Sequence, residues 1–108
     1  MAEHPVLKDD PTLQDVQEYI KKVVKHRGFD KQTVDYEFRM LVEEVGELAK
    51  ALRKHTGGSI ADDSEEFKVR HECADVLWML VCVCNSLGID LEKALREKEE
   101  HNKTRTWR

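Results

Sequence analysis

The chain has 108 residues, of which 37% are charged and 6% aromatic, and a formal net charge of −4. This length predicts one domain with a modest core, and so many charges with few Gly and Pro favour long helices. The net charge argues against a nucleic-acid polymer as partner, which would want a basic face, but not against an anionic substrate, because a bound metal changes the local sign.

The three cysteines, Cys73, Cys82 and Cys84, fall in an apolar helical stretch with no Cys-x-x-Cys. Buried, reduced thiols in a cytoplasmic protein are the expectation, rather than disulfides or zinc. The opening Met1-Ala2-Glu3-His4-Pro5 has no basic region followed by an apolar run, so no signal peptide is expected. The longest apolar run, Val76 to Cys84, is too short to span a bilayer, and no membrane partner is expected.

Residues 1–11, with Pro5 and Pro11, read as a flexible arm, and residues 12–108 as a single helical domain. Thr12 is the expected N-cap of a first helix over 12–27, whose apolar positions Leu13, Val16, Ile20, Val23 and Val24 recur at three or four. Its last turns carry Lys21, Lys22, Lys25, His26 and Arg27, which suits the helix dipole, and Gly28 ends it. Asp30 is the candidate cap of a second helix over 31–55, with the core stripe Val34, Phe38, Leu41, Val45, Leu48 and Leu52. At about 100° per residue, Glu44 lies ~40° from Leu48, at the edge of that stripe, and Glu47 ~100° from it. Gly46 between them either admits a close neighbour or is merely tolerated.

Thr56-Gly57-Gly58-Ser59 breaks the chain. Asp63 with Glu66 fits a capping box for a third helix over 64–87, apolar on nearly every side from Ala74 onward. Such a helix is central in its assembly, and a small subunit can hardly surround it, so a partner subunit is inferred. Gly88 and Ile89 resemble a C-terminal cap. Asp90 caps a fourth helix over 91–103, with Leu91, Ala94 and Leu95 inward. The expected fold is all-α, a four-helix bundle-like subunit completed by oligomerisation.

Two acidic clusters are set into this frame. Glu44 and Glu47 are three apart on the second helix, and Glu72 and Asp75 three apart on the third. Each pair therefore shares a face. Asp75 runs directly into Val76-Leu77-Trp78-Met79-Leu80. Carboxylates beside apolar stripes are costly unless their charge is compensated, and a hard divalent cation, Mg²⁺ above all, does this for oxygen ligands. A di-iron bundle would need Glu-x-x-His on two helices, and none of His4, His26, His55, His71 and His101 has Glu three residues before it. The oxygen-only set favours Mg²⁺ or Mn²⁺.

On the fourth helix Lys98, Asn102 and Arg105, spaced four and three, share a face about 10 Å long that suits a polyphosphate. A solvated basic helix end is the plainer reading of the same residues. Lys50, Arg53 and Lys54 read as exposed partners of Glu residues a turn earlier, and Trp78 and Met79 as core or interface. Phe29, Tyr36 and Phe38 could stack on a base, although Phe38 fits the core stripe.

Glu43-Glu44-x-x-Glu47, then 24 residues, then Glu72-x-x-Asp75, with Lys98-x-x-x-Asn102-x-x-Arg105 downstream, resembles the signature of the MazG-like family over Val34 to Arg105. These are all-α nucleoside triphosphate pyrophosphohydrolases. The resemblance implies Glu44, Glu47, Glu72 and Asp75 as Mg²⁺ ligands, and Lys98, Asn102 and Arg105 as phosphate contacts. It also implies a homodimer or homotetramer and a role in clearing unwanted nucleotides. Relatives often continue with Tyr-Pro after the arginine; here Thr106-Trp107 follows. The reaction expected is hydrolysis of a nucleoside triphosphate to monophosphate and pyrophosphate, with Glu43 or Glu47 orienting the water or taking its proton. The competing expectation is a non-catalytic helical dimerisation or partner-binding module with a structural cation, which needs no phosphate-binding face.

Overall fold

The computed structural model describes residues 3–56 and 63–106, leaving aside the side chains of residues 55, 56 and 63–67. The described residues form helices only: α1 (Leu13–His26), α2 (Val34–Thr56), α3 (Asp63–Leu87) and α4 (Leu91–Lys103). None of the described helices is by itself long and apolar enough to cross a membrane. The chain forms two compact units, Met1–Lys31 with Cys84–Arg108, and Gln32–Val83, so α3 is shared between them.

In the first unit the helix ends follow from local chemistry. Thr12 accepts the Asp15 N–H at 3.0 Å and Asp15 accepts the Thr12 N–H at 2.9 Å, a closed capping box. Gly28 has φ +80° and Gly88 φ +69°, a left-handed conformation that glycine takes without steric cost. In each case the next residue bonds back into the helix, Phe29 N–H to Val24 O at 2.9 Å and Ile89 N–H to Cys84 O at 2.9 Å. Asp90 caps α4 through the Lys93 N–H at 3.0 Å, as its position predicts. The N-terminal segment runs beside α1, with the His4 ring 5.2 Å from that of His26 and Lys8 Nζ 3.4 Å from Asp15.

Gln17 ties this unit together. It is 8% exposed, and its Nε2 donates to Asn85 Oδ1 at 3.0 Å and Ile89 O at 2.8 Å. Its Oε1 accepts the Leu91 N–H at 2.8 Å, and Asn85 Nδ2 donates to Gln17 O at 3.0 Å. One amide thus satisfies the turn after α3 and an orphan donor at the start of α4. Ile20 and Val23 of α1 and Cys84 of α3 are the unit's buried apolar residues.

The second unit pairs α2 with most of α3, and here three expectations are corrected. The cap of α2 is Thr33, not Asp30. Its Oγ1 accepts the Tyr36 N–H at 3.1 Å, the donor three residues on, and the helix starts at Val34. The buried face of α2 centres on Glu37, Glu44 and Ala51, seven apart, rather than on the whole apolar stripe. Val34, Leu41 and Leu48 are half-buried, but Phe38, Val45 and Leu52 are about half exposed, as is Val42. The apolar arc is wider than the face one neighbouring helix covers. Cys73 is exposed while Cys82 and Cys84 are buried, because Cys73 points away from the seam that Glu72 faces. In the first unit Leu91 and Ala94 are half-buried as expected, but Leu95 is 60% exposed. The expected chain break at Gly57–Ser59 and the Asp63–Glu66 capping box lie outside the described residues and side chains.

Candidate functional site

α2 and α3 bring three acidic side chains together. Glu44, Glu72 and Asp75 each offer a carboxylate oxygen, and these oxygens all lie within 4.8 Å of one another. Glu44 and Glu72 are half-buried and Asp75 is exposed. The grouping follows from spacing, since Glu72 and Asp75 sit one turn apart on the α3 face that meets Glu44.

The electrostatics are those of crowded like charges. Burial pushes the Glu44 carboxyl above its ordinary value, and the charges of Asp75 and Glu72 push it further. The closeness of the Glu72 carboxyl acts in the same direction. Glu72 Oε2 is buried with no hydrogen-bond partner among the described residues. A buried oxygen without a partner is costly, and three converging oxygens with spare lone pairs have the donor chemistry of a hard divalent cation.

Glu43 and Glu47 flank this group on α2, both exposed and outside the three-oxygen cluster. Lys98 and Asn102 lie on α4 in the other compact unit, Lys98 exposed and Asn102 half-buried. Arg105 is beyond the helix, but its N–H donates to Asn102 O at 3.1 Å, so a further turn carries the spacing on. Asn102 Oδ1 is buried and makes no hydrogen bond among the described residues.

Residues 32–106 match the MazG nucleotide pyrophosphohydrolase domain. The chain belongs to the MazG family. It is 35% identical over 89 residues to the uncharacterized protein YpjD of Bacillus subtilis (strain 168), covering 79% of this chain and 78% of that protein. It is 25% identical to the uncharacterized protein YvdC of the same organism, covering 82% and 90%. Its fold matches the crystal structure of the Bacillus-conserved MazG protein, a nucleotide pyrophosphohydrolase, with a TM-score of 0.71 and 29% identity over 94% of this chain and 97% of that one. The match to the MazG domain spans both acidic pairs and the Lys98–Arg105 segment.

Two buried polar residues escaped the sequence reading. Gln17 looks like any helix-surface glutamine; only its partner Asn85, 68 residues away, reveals it. Glu37 was detectable, because it stands seven residues before Glu44 and so on the same face of α2.

Proposed function

We propose that this MazG protein is a Mg²⁺-dependent nucleoside triphosphate pyrophosphohydrolase, cleaving between the α and β phosphates to release monophosphate and pyrophosphate. The observation that carries the reading is the convergence of Glu44, Glu72 and Asp75 with Glu72 Oε2 buried and unpartnered among the described residues. These three would hold the cation, with Glu47, one turn from Glu44, as a fourth ligand. The chemistry Mg²⁺ or Mn²⁺ supplies when bound is charge neutralisation at phosphate oxygens and a water acidic enough to ionise near neutral pH.

Glu43 or Glu47 would orient the attacking water and accept its proton on a carboxylate oxygen. The water attacks the α phosphorus, and the bridging oxygen leaves with pyrophosphate. Lys98, Asn102 and Arg105 would donate to phosphate oxygens and offset the charge on the departing group. No covalent nucleophile is required. Residues 12–108 would work as one domain, with residues 1–11 as its arm.

The same reading includes a second copy of the chain. Phe38, Val42, Val45 and Leu52 leave an apolar stripe on α2, and Leu77 and Leu80 are exposed on α3. Contiguous exposed apolar surface of this kind marks an interface. A Cβ at Gly46 would meet nothing within 4 Å, so this face is open to a helix from another copy. Light scattering should give a dimer or tetramer mass, and a clean monomer would overturn this part.

The activity is tested by incubating the protein with a panel of nucleoside triphosphates and Mg²⁺ and separating the products. Monophosphate and pyrophosphate are expected. Diphosphate with orthophosphate would overturn the bond assignment, and Mg²⁺ binding with no turnover of any nucleotide would favour a non-catalytic helical module.

A further inference from the structure

A strip of exposed charge runs along α2 beside the carboxylate cluster. With the inward line of Glu37, Glu44 and Ala51 set at 0°, Glu43 and Lys50 stand at about −100° and Glu47 and Lys54 at about −60°. All four are exposed. Their spacing is four, three and four, so the strip reads acid, acid, base, base. Helices gain from opposite charges four apart and lose from like ones, and here both of the four-apart pairs are like-charged. The residues one turn before Lys54 are Lys50 and Ala51, so the glutamate partner expected for it is missing. Among the described residues no ion pair or hydrogen bond engages the Lys50 or Lys54 ammonium. Two cations kept side by side at this cost complement an anion that carries more than one charge.

The strip is open to such a ligand. The exposed apolar residues Phe38, Val45 and Leu52 stand at about +100°, on the opposite flank of α2, so a second copy seated on them leaves the charged strip uncovered. The strip and the three-carboxylate cluster belong to the same compact unit. Lys50 lies about 4.5 Å and Lys54 about 10 Å beyond Glu47 along the helix axis. Toward the start of α2 the same strip continues with Met40, half-buried, and Tyr36, 47% exposed. The order along the helix is therefore aromatic ring and thioether, carboxylates, ammonium groups. A nucleoside triphosphate has the matching order: a planar base, the α phosphate where the reaction takes place, and then most of its negative charge on the β and γ phosphates.

We propose that Lys50 and Lys54 hold the β and γ phosphates, the group that leaves as pyrophosphate, and so make the site select triphosphates over diphosphates. The proposal rests on reading the carboxylate cluster as the triphosphate site. Each ammonium is a compact charge on a flexible four-carbon stem, and donates to phosphate oxygens without giving up a proton. When water attacks the α phosphorus, the bridging oxygen takes the electron pair of the broken P–O bond and leaves with pyrophosphate. Cations already in place at that group stabilise the charge as it develops. A diphosphate ends one phosphate earlier. Its terminal phosphate meets Lys50 and falls short of Lys54.

The test uses wild type, Lys50→Gln, Lys54→Gln and the double variant, all with saturating Mg²⁺. It measures kcat/KM for the best triphosphate of the panel and for the corresponding diphosphate, and inhibition by inorganic pyrophosphate and by the monophosphate product. Each single variant should lose about tenfold in kcat/KM on the triphosphate and in pyrophosphate inhibition, the size of one lost charge-assisted hydrogen bond. The double variant should lose more, while inhibition by the monophosphate stays near the wild-type value. Lys54→Gln should cost the triphosphate more than the diphosphate, a split that a merely structural role would not produce. If the double variant does not fold, the single variants decide by the same measurements. Unchanged pyrophosphate inhibition, or an equal loss for pyrophosphate and monophosphate, overturns the proposal and leaves the pyrophosphohydrolase reading standing. Should the wild type turn over no nucleotide, that reading fails instead, and calorimetric binding of inorganic pyrophosphate with Mg²⁺ decides the role of the lysines: weaker binding in the variants supports it, and equal or no binding overturns it.

Discussion

In the unit built from α1, α4 and the end of α3, the buried amide of Gln17 meets a partner at both of its polar atoms, and Asn85 closes the circuit. In the unit built from α2 and the rest of α3, three carboxylates crowd within 4.8 Å, and one buried oxygen has no partner among the described residues. Both units bury polar groups in a small chain, with opposite results. The first satisfies its polar knot from within and gains a fixed turn between helices. The second spends stability on like charges and leaves an apolar stripe uncovered. An unsatisfied buried polar atom is costly; in the second unit it is Glu72 Oε2 at the carboxylate cluster, and in the first it is Asn102 Oδ1 on α4, outside the Gln17 knot.

The sharpest way to break the contrast is Asp75→Asn. If the second unit is held back by repulsion, removing one charge at nearly constant shape should leave the metal-free protein as stable as the wild type or more so. Turnover should fall by more than the roughly hundredfold that loss of an outer-shell partner costs a metal site. Wild type should gain about 2.7 kcal/mol from Mg²⁺ at a hundredfold excess over its dissociation constant, and the variant clearly less. Thermal melts in EDTA and in Mg²⁺, beside a turnover assay, read all three quantities. A variant that melts far lower in EDTA yet keeps its response to Mg²⁺ would make Asp75 a structural residue.

The same unit has a pH signature. The Glu44 carboxyl is raised in the folded state, first by burial and then by Asp75 and Glu72. A raised carboxyl favours folding below its unfolded value, and that benefit is lost as pH rises through the folded one. The metal-free protein should therefore lose this contribution on going from acid toward neutral pH, while Mg²⁺ binding, which competes with the proton, should strengthen over the same interval. Melts in EDTA across that range should show a smaller loss in Glu44→Gln; an identical profile would mean that Glu44 is not crowded in solution.

Gln17→Met asks the opposite question of the first unit. Methionine keeps the length but makes none of the amide's hydrogen bonds. Ile89 O, Leu91 N–H and Asn85 would each lose a partner in a partly buried place. Unsatisfied groups of this kind cost about 1–3 kcal/mol each, and partial access to water keeps the expected total near 3 kcal/mol. Urea unfolding should show that loss equally in EDTA and in Mg²⁺. A loss that vanishes with Mg²⁺ would tie the knot to the cation site.

These outcomes bear on what the sequence reveals and what it hides. Local signals read well: Thr12 and Asp90 as caps, and Gly28 and Gly88 as stops, because each is set by neighbours three or four residues away. Face assignment on α2 read poorly. An apolar arc as broad as Val34 through Leu52 has no unique centre, and only packing against α3 selects the line through Glu37, Glu44 and Ala51. Asp30 and Thr33 are both plausible caps, and the hydroxyl three residues before Tyr36 took the role. The Gln17 knot is invisible in principle, since its partners lie 68 to 74 residues away.

The mildest probe compares the first unit with itself. Thr12→Ala removes the hydroxyl that accepts the Asp15 N–H, a loss of about 1 kcal/mol for a typical N-cap. Asp15 supplies the pH handle. Its carboxyl is held below the ordinary value, first by the Thr12 backbone N–H, then by the Thr12 hydroxyl and the charge of Lys8. Because the folded value is depressed, its contribution to stability is present above the unfolded value and fades as pH falls through the folded one. Thr12→Ala should keep the backbone bond to Asp15 and so keep most of that acid-side loss, whereas Asp15→Asn should abolish it. Urea titrations between neutral pH and the low end of the carboxylate range separate the two variants. If both show the wild-type loss, the acid sensitivity belongs to other carboxylates, and the capping box closes α1 without coupling it to pH.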